Sequence, residues 1–279
     1  MSNATVSNFY GTEGIRARLE SALETSGFSE GRIEPRRLAL ADQFHAGGLA
    51  ATEEVGAALD PKPGSHVLDI GSGFGGPARI LANAYDCRVT GVDLTPEYVE
   101  IANYLTERTG QTGRVSFTCG DALRLPFDDS EFDDAMTQHA GMNIEDKPRF
   151  YSEVFRVLKP GGRIAIYDVV LSGGEAPNYP MPWAADPSSS FVAPPHAIIE
   201  ALLTAGFEEI SAEDKTPLAV QGFAELGRLM QSGEMPPLNL VSLVGGRARD
   251  AVQNLTEGLR DGRLRVYLFI ARKPGSTRI

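Results

Sequence analysis

Three aspartates, a run of glycines and a histidine carry the chemistry that this sequence offers. The apolar run Val67-Leu68-Asp69-Ile70 leads into Gly71-Ser72-Gly73-Phe74-Gly75-Gly76-Pro77. This pattern predicts a strand, a tight loop and a helix start. Gly71, Gly73 and Gly75 can take backbone angles closed to other residues and leave no side chain between loop and ligand. Pro77 suits the first turn of the helix that follows. A loop of this kind at the carboxyl end of a strand is where open α/β sheets hold nucleotide-like ligands, so an adenosine-containing molecule is expected here. Asp93 closes the next predicted strand, where a carboxylate can accept both ribose hydroxyl hydrogens. Asp121 follows a third, placed to accept from an adenine amino group while the Ala122 amide donates to a ring nitrogen.

The glycines alone do not select the cofactor, because Gly71, Gly73 and Gly76 also satisfy the dinucleotide spacing G-x-G-x-x-G. Asp69 discriminates. A carboxylate aimed into the loop would repel the pyrophosphate of NAD, but it suits a ligand carrying an ammonium and a sulfonium, as S-adenosyl-L-methionine does. Methyl transfer from a sulfonium is an in-line displacement with a good leaving group, so positioning and desolvation of the acceptor carry most of the burden. An amine acceptor need only arrive neutral and is favoured here, with oxygen and carbon as alternatives. A hydroxyl acceptor needs its proton removed, for which His139 or His45 has a suitable ordinary pKa. His139 is the better placed, as a base or as an orienting group.

The elements that must position these groups alternate regularly from His66. Strand, loop and helix recur through Cys87–Asp93, Val115–Cys119, a fourth strand near Asp133–Met136 and a fifth at Ile164–Val169. The expected fold is α/β: a Rossmann-like, mostly parallel seven-stranded sheet with helices on both faces and an antiparallel last strand. Thr95-Pro96-Glu97 starts a helix whose buried face is Tyr98, Ile101, Ala102 and Leu105. Lys159-Pro160-Gly161-Gly162 is expected to stop the helix after strand four. Three segments follow: residues 1–60 as a helical cap, 61–171 as the cofactor-binding core, and 172–279 as lid or insertion segments plus the last two strands. The cap carries an amphipathic helix over Thr12–Thr25 and then Asp42–Gly48, where Gln43 and His45 either line a substrate pocket or sit in an ordinary turn. Asn143 and, in a proline-rich loop, Trp183 are the further substrate candidates. That loop reads as a substrate wall or lid, or as a surface loop packed on the body.

Composition narrows the setting. Of the 279 residues, 42% are hydrophobic, ample for one large domain, and the net charge is −11. That charge argues against nucleic acid and against an anionic membrane surface. No apolar run reaches membrane-spanning length, and Met1–Ser7 lacks the regions of a signal peptide, so a cytoplasmic location is expected. Cys87 and Cys119 are expected to be buried in strands, and the scattered histidines predict no metal site.

The order of Val67–Gly76, Gly91–Leu94, Gly120–Ala122 and Arg156–Gly162 resembles a class I S-adenosylmethionine-dependent methyltransferase over roughly residues 60 to 171. By that resemblance Asp69 orders the methionine end, Gly71 and Gly73 bound it, Asp93 takes the ribose, Leu94 flanks adenine and Asp121 with Ala122 reads its edge. Gln138 would sit beneath the methionine portion. The resemblance implies a small-molecule methyltransferase acting by in-line displacement. The alternatives are an NAD-dependent oxidoreductase using the same loop and a non-catalytic S-adenosylmethionine-binding protein. Asp42–Gly48 together with Gln138–Lys147 is similar to the sarcosine/dimethylglycine and phosphoethanolamine N-methyltransferases. Where the phosphobase enzymes tend to show a histidine ahead of the Asp-Lys pair, this chain has Asn143.

Overall fold

Strand β1 (His66–Ile70) is buried from Val67 onward, as expected of a strand covered on both faces. It pairs in parallel with β2 (Arg88–Asp93) on one side and β4 (Phe132–Gln138) on the other. The structure is a computed structural model that describes residues 14–173, 176–245 and 247–275. Its seven strands run in the order β3-β2-β1-β4-β5-β7-β6. Here β3 is Val115–Cys119, β5 is Leu158–Leu171, β6 is Glu208–Asp214 and β7 is Leu264–Arg272, antiparallel to both its neighbours. The chain therefore winds outward from β1 to β3, then returns to β4 on β1's other side. The crevice between the two windings, at the carboxyl ends of the strands, is the ligand position of such sheets.

Helices cover both faces: α1 (Ile15–Thr25), α2 (Ala39–Asp42), α3 (Gly48–Leu59), α4 (Gly76–Tyr85), α5 (Pro96–Arg108), α6 (Lys147–Val157), α7 (Pro195–Ala205), α8 (Thr216–Ser232), α9 (Leu240–Val244) and α10 (Arg247–Arg260). The turn chemistry agrees with the residues. Helix α5 has Pro96 and Glu97 in its first turn and buries Tyr98, Ile101, Ala102 and Leu105. Helix α6 is capped by Asp146, whose side chain accepts from the Arg149 amide. In α1, Ile15, Leu19 and Leu23 are buried, and they share a cluster with Phe74, Tyr98 and Ile101. Each such side chain contributes about 1.5–3 kcal/mol on burial, which fastens the cap to the core. Thr12, at the expected start of that helix, lies outside the described residues, as do Met1–Ser7 and Gly174.

Two expectations are corrected. The helix α6 ends at Val157, just ahead of Lys159-Pro160-Gly161-Gly162 as expected, but these residues are not a turn: they form the first part of β5, which is longer than Ile164–Val169. They are accommodated by a register shift against Phe132–Asp134, with Gly161 at φ 84. Cys119 is exposed although it shares a strand face with the buried Val115 and Phe117, because it is the last residue of an edge strand, whereas Cys87 is buried just ahead of β2. Among the described residues no helix is long and apolar enough to cross a membrane.

Candidate active site

The three glycines of the loop all have positive φ, at 76, 53 and 75 for Gly71, Gly73 and Gly75, but they serve different ends. A Cβ on Gly71 would lie 2.4 Å from that of Ala140, and one on Gly75 would lie 2.2 Å from the Phe117 ring. At Gly73 the nearest atom would be a Phe44 ring carbon at 3.7 Å, so the space above it is open. The Gly73 amide donates to Asp93 Oδ2 at 2.8 Å and the Thr95 amide donates to Asp93 Oδ1 at 2.9 Å. Burial pushes the Asp93 carboxyl up, and these amides oppose the shift. In the same manner the Leu123 amide donates to Asp121 Oδ1 at 2.9 Å.

A cavity of about 880 Å³ opens over this loop. Gly71, Gly73, Asp93, Leu94, Asp121 and Ala122 line its β2–β3 side, with Phe44 and Tyr98. Gln138 at the end of β4 and His139 just beyond it line the cavity, followed by Asn143 and Trp183. Four expected residues are not among its lining. Gly75 spends its missing side chain on Phe117. Asp69, 2% exposed, sits behind the loop with Oδ2 unpartnered, and its carboxyl is pushed up to about 7 by burial and by Asp93, against Arg79. Gln43 and His45 form a buried network with Thr52, whose hydroxyl donates to Gln43 Oε1 at 2.7 Å; His45 Nε2 lies 3.0 Å from the same oxygen. Burial lowers His45 to about 4.

The cap is tied to the glycine loop by one buried ion pair. Arg79 in α4 is fully buried; its guanidinium donates to Asp42 Oδ2 at 2.9 Å and to the Phe74 carbonyl within the loop. Gly76 lets the two segments meet, since a Cβ there would fall 2.4 Å from the Asp42 carbonyl.

His139 has φ 54, unusual for a residue with a Cβ, and its ring stacks on Tyr167 at 5.7 Å with an interplanar angle of 14°. Burial, and secondarily His45, hold its imidazole well below the ordinary value, so it is neutral near pH 7, and its Nε2 has no partner. The His139 backbone is held by groups that the sequence reading missed. The amide donates to the Tyr167 carbonyl at 2.9 Å, and the buried Asp168 carboxyl, its Oδ1 unpartnered, lies by the amides of residues 139 to 141, which oppose the upward shift that burial gives it. Lys147 Nζ donates to the carbonyls of Gly141, Ile144 and Phe191 at 2.8–2.9 Å. Burial raises Asp168 and lowers Lys147, and their mutual attraction opposes both shifts. The available signal was a carboxylate inside the otherwise apolar strand 164–170.

Beyond His139 the wall is fixed by hydrogen bonds. Asn143 Nδ2 donates to the Trp183 carbonyl at 2.7 Å, the Trp183 indole donates to Ser190 Oγ at 2.9 Å, and the Phe191 amide donates to the Met142 carbonyl at 2.8 Å. Trp183 is 2% exposed, so its loop is both packed on the body and part of the cavity wall. Leu240, Val244, Ala251 and Val252, from the insertion between β6 and β7, also line the cavity.

Residues 68–166 match the methyltransferase domain family. Among curated relatives, the O-methyltransferase cnsE of Penicillium expansum is 38% identical over 123 residues, 44% of this chain and 45% of that protein. The match thus spans less than half of that relative's length. Two solved structures share the fold. Phosphoethanolamine N-methyltransferase 2 of Haemonchus contortus, in complex with S-adenosyl-L-methionine, has a TM-score of 0.70 at 22% identity, over 92% of this chain and 60% of that one. A putative sarcosine dimethylglycine methyltransferase of Galdieria sulphuraria has a TM-score of 0.64 at 20% identity, over 81% and 85%. The matched stretch holds the glycine loop, Asp93, Asp121, Gln138, His139 and Asn143. Trp183, Phe191 and the insertion between β6 and β7 lie outside that stretch.

Proposed function

We propose that this chain transfers a methyl group from S-adenosyl-L-methionine to a small-molecule acceptor. The observation that carries the reading is the Gly73–Asp93 hydrogen bond at the lip of the cavity. It presents a carboxylate beside an open glycine cradle at the switch point of the sheet. The donor set fits the cofactor. A side chain at Gly73 would fill the cradle, both amide atoms of Gln138 are buried without partners, and Asp69 Oδ2 waits behind the loop for a hydrogen-bond donor.

S-adenosyl-L-methionine supplies an activated methyl group on a good leaving group. In this reading Asp93 binds the ribose hydroxyls, Leu94 packs on the adenine, and Asp121 with the Ala122 amide takes its edge. Gly71 and Gln138 bound the methionine portion, which Asp69 orders from behind. His139 faces the acceptor, while Trp183, Met142 and Phe191 exclude water around it. Residues 61–171 hold the cofactor in this division, residues 1–60 cap the loop, and 172–279 supply the far wall. The rival dinucleotide reading fares worse: the charged lining residues are carboxylates, which repel a pyrophosphate, and no lysine or arginine lines the cavity among the described residues. The net charge of −11 and the two free cysteines fit a cytoplasmic enzyme that binds neither nucleic acid nor membrane.

The test is thermal unfolding with S-adenosyl-L-methionine, S-adenosyl-L-homocysteine and NADH added separately, since only a ligand of the native state raises the midpoint. The two adenosyl ligands are expected to raise it and NADH to leave it unchanged. Stabilisation by NADH alone overturns the reading.

A further inference from the structure

We propose that the half of the cavity beyond His139 takes a neutral, largely apolar molecule bearing a hydroxyl group, and that this hydroxyl oxygen accepts the methyl. The inference rests on the methyltransferase reading above and departs from the amine acceptor favoured by sequence. Its first ground is the wall: Met142, Ile144, Trp183 and Phe191 on one side and Val244 and Val252 on the other present apolar surface.

The second ground is charge. In this half the charged lining residues are Glu145, Asp146 and Asp250, all exposed at the mouth. A phosphate or carboxylate on the acceptor would pass these anions and find no cation among the described lining residues. The neighbouring Lys147 is already committed to three backbone carbonyls. An ammonium fares no better at depth. The carboxylates stay at the mouth, so a cation carried in to His139 would be desolvated without a counter-ion.

The third ground is the polar atom that waits inside. His139 Nε2 is buried and unpartnered on an imidazole that burial keeps neutral, and with the ring proton on Nδ1 it accepts one hydrogen bond. A hydroxyl is the neutral donor that also holds a nucleophilic lone pair. In the transfer the hydroxyl oxygen bonds to the methyl carbon as the carbon–sulfur bond breaks, its electron pair remaining on sulfur. The hydroxyl proton passes to His139 Nε2 and later to water, leaving a methyl ether.

Trp183 is the single tryptophan of the chain and lines this half, so its emission reports occupancy without turnover. Protein saturated with S-adenosyl-L-homocysteine is titrated with thymol, estradiol, phosphocholine and dimethylglycine, followed by tryptophan emission and by calorimetry. At least one of the two phenols is expected to bind saturably and at least tenfold more tightly than either charged compound. Val252→Glu is expected to weaken phenol binding at least tenfold while the homocysteine affinity stays within threefold. Tighter binding of phosphocholine or dimethylglycine, or no binding of either phenol, overturns the inference and leaves the cofactor reading standing. Failure of S-adenosyl-L-homocysteine to bind in the loading step is the separate outcome that removes the cofactor reading itself.

Discussion

The Gly73 amide lies 2.8 Å from Oδ2 of Asp93, which joins the glycine loop after β1 to the acid at the end of β2. The carboxylate therefore both shapes the loop and faces the cavity. Asp93→Ala is expected to weaken S-adenosyl-L-homocysteine binding about 10- to 100-fold, the equivalent of a charge-assisted hydrogen bond of about 1.5–3 kcal/mol. Calorimetry is the check, and an unchanged dissociation constant removes Asp93 from the site.

Gly73 and Gly75 should respond differently to the same added methyl group. Gly75→Ala places a Cβ 2.2 Å from the Phe117 ring at φ 75, and is expected to lower stability by about 2–4 kcal/mol. Gly73→Ala meets no atom closer than 3.7 Å and should cost only the backbone penalty, about 1–2 kcal/mol, while losing cofactor affinity. Denaturant midpoints and titrations on both variants separate the two roles; equal stability losses would contradict them.

The Arg79–Asp42 pair is buried on both sides, at 0% and 2% exposure. Asp42→Ala would leave the guanidinium without its counter-ion and is expected to destabilise the protein by about 3–5 kcal/mol. The double change Arg79→Met with Asp42→Ala should cost less than Asp42→Ala alone. If the double variant is the less stable, the pair is not what makes the single change costly.

Asp69 gives the pH dependence a sign. Its folded value near 7 lies above the ordinary 3.8, so the folded state binds more protons between those values. The contribution is fully present below about 3.8 and is lost as pH rises through about 7. Relative to the wild type, Asp69→Asn should therefore gain stability between pH 4 and pH 8, by a few kcal/mol at most. Urea unfolding of the ligand-free proteins at both values measures it, and a constant difference refutes the shift.

His139→Ala should reduce turnover about 10²- to 10⁴-fold, as for loss of a general base, while S-adenosyl-L-homocysteine affinity changes little. Burial holds His139 well below 6.5, so the wild-type rate should decline only in acid, as the imidazole takes a proton. That acidic limb should vanish in the variant. A loss under about tenfold with the limb intact makes the histidine an orienting group.

What could be read from residues alone was local. The strand, loop and helix around Gly71–Pro77, the strand-end acids Asp93 and Asp121, and the buried face of α5 follow from turn chemistry and periodicity. These act over a few residues and survive in the fold. The placement of Gln138, His139 and Asn143 at and beyond the end of β4 follows from the same alternation. What only the tertiary structure decided was where side chains point and what they touch. Gly75 reads like Gly73, yet Phe117 from β3 claims the space beside it. His45 reads like a ligand-facing group, yet Thr52 and Gln43 hold it in a network behind the cavity. Asp168 and Lys147 lie far apart in sequence and meet because β5 runs beside the loop that α6 follows. The far wall is assembled from Trp183, Phe191 and an insertion that enters between β6 and β7. Their convergence depends on packing between distant segments, which no local pattern of residues encodes.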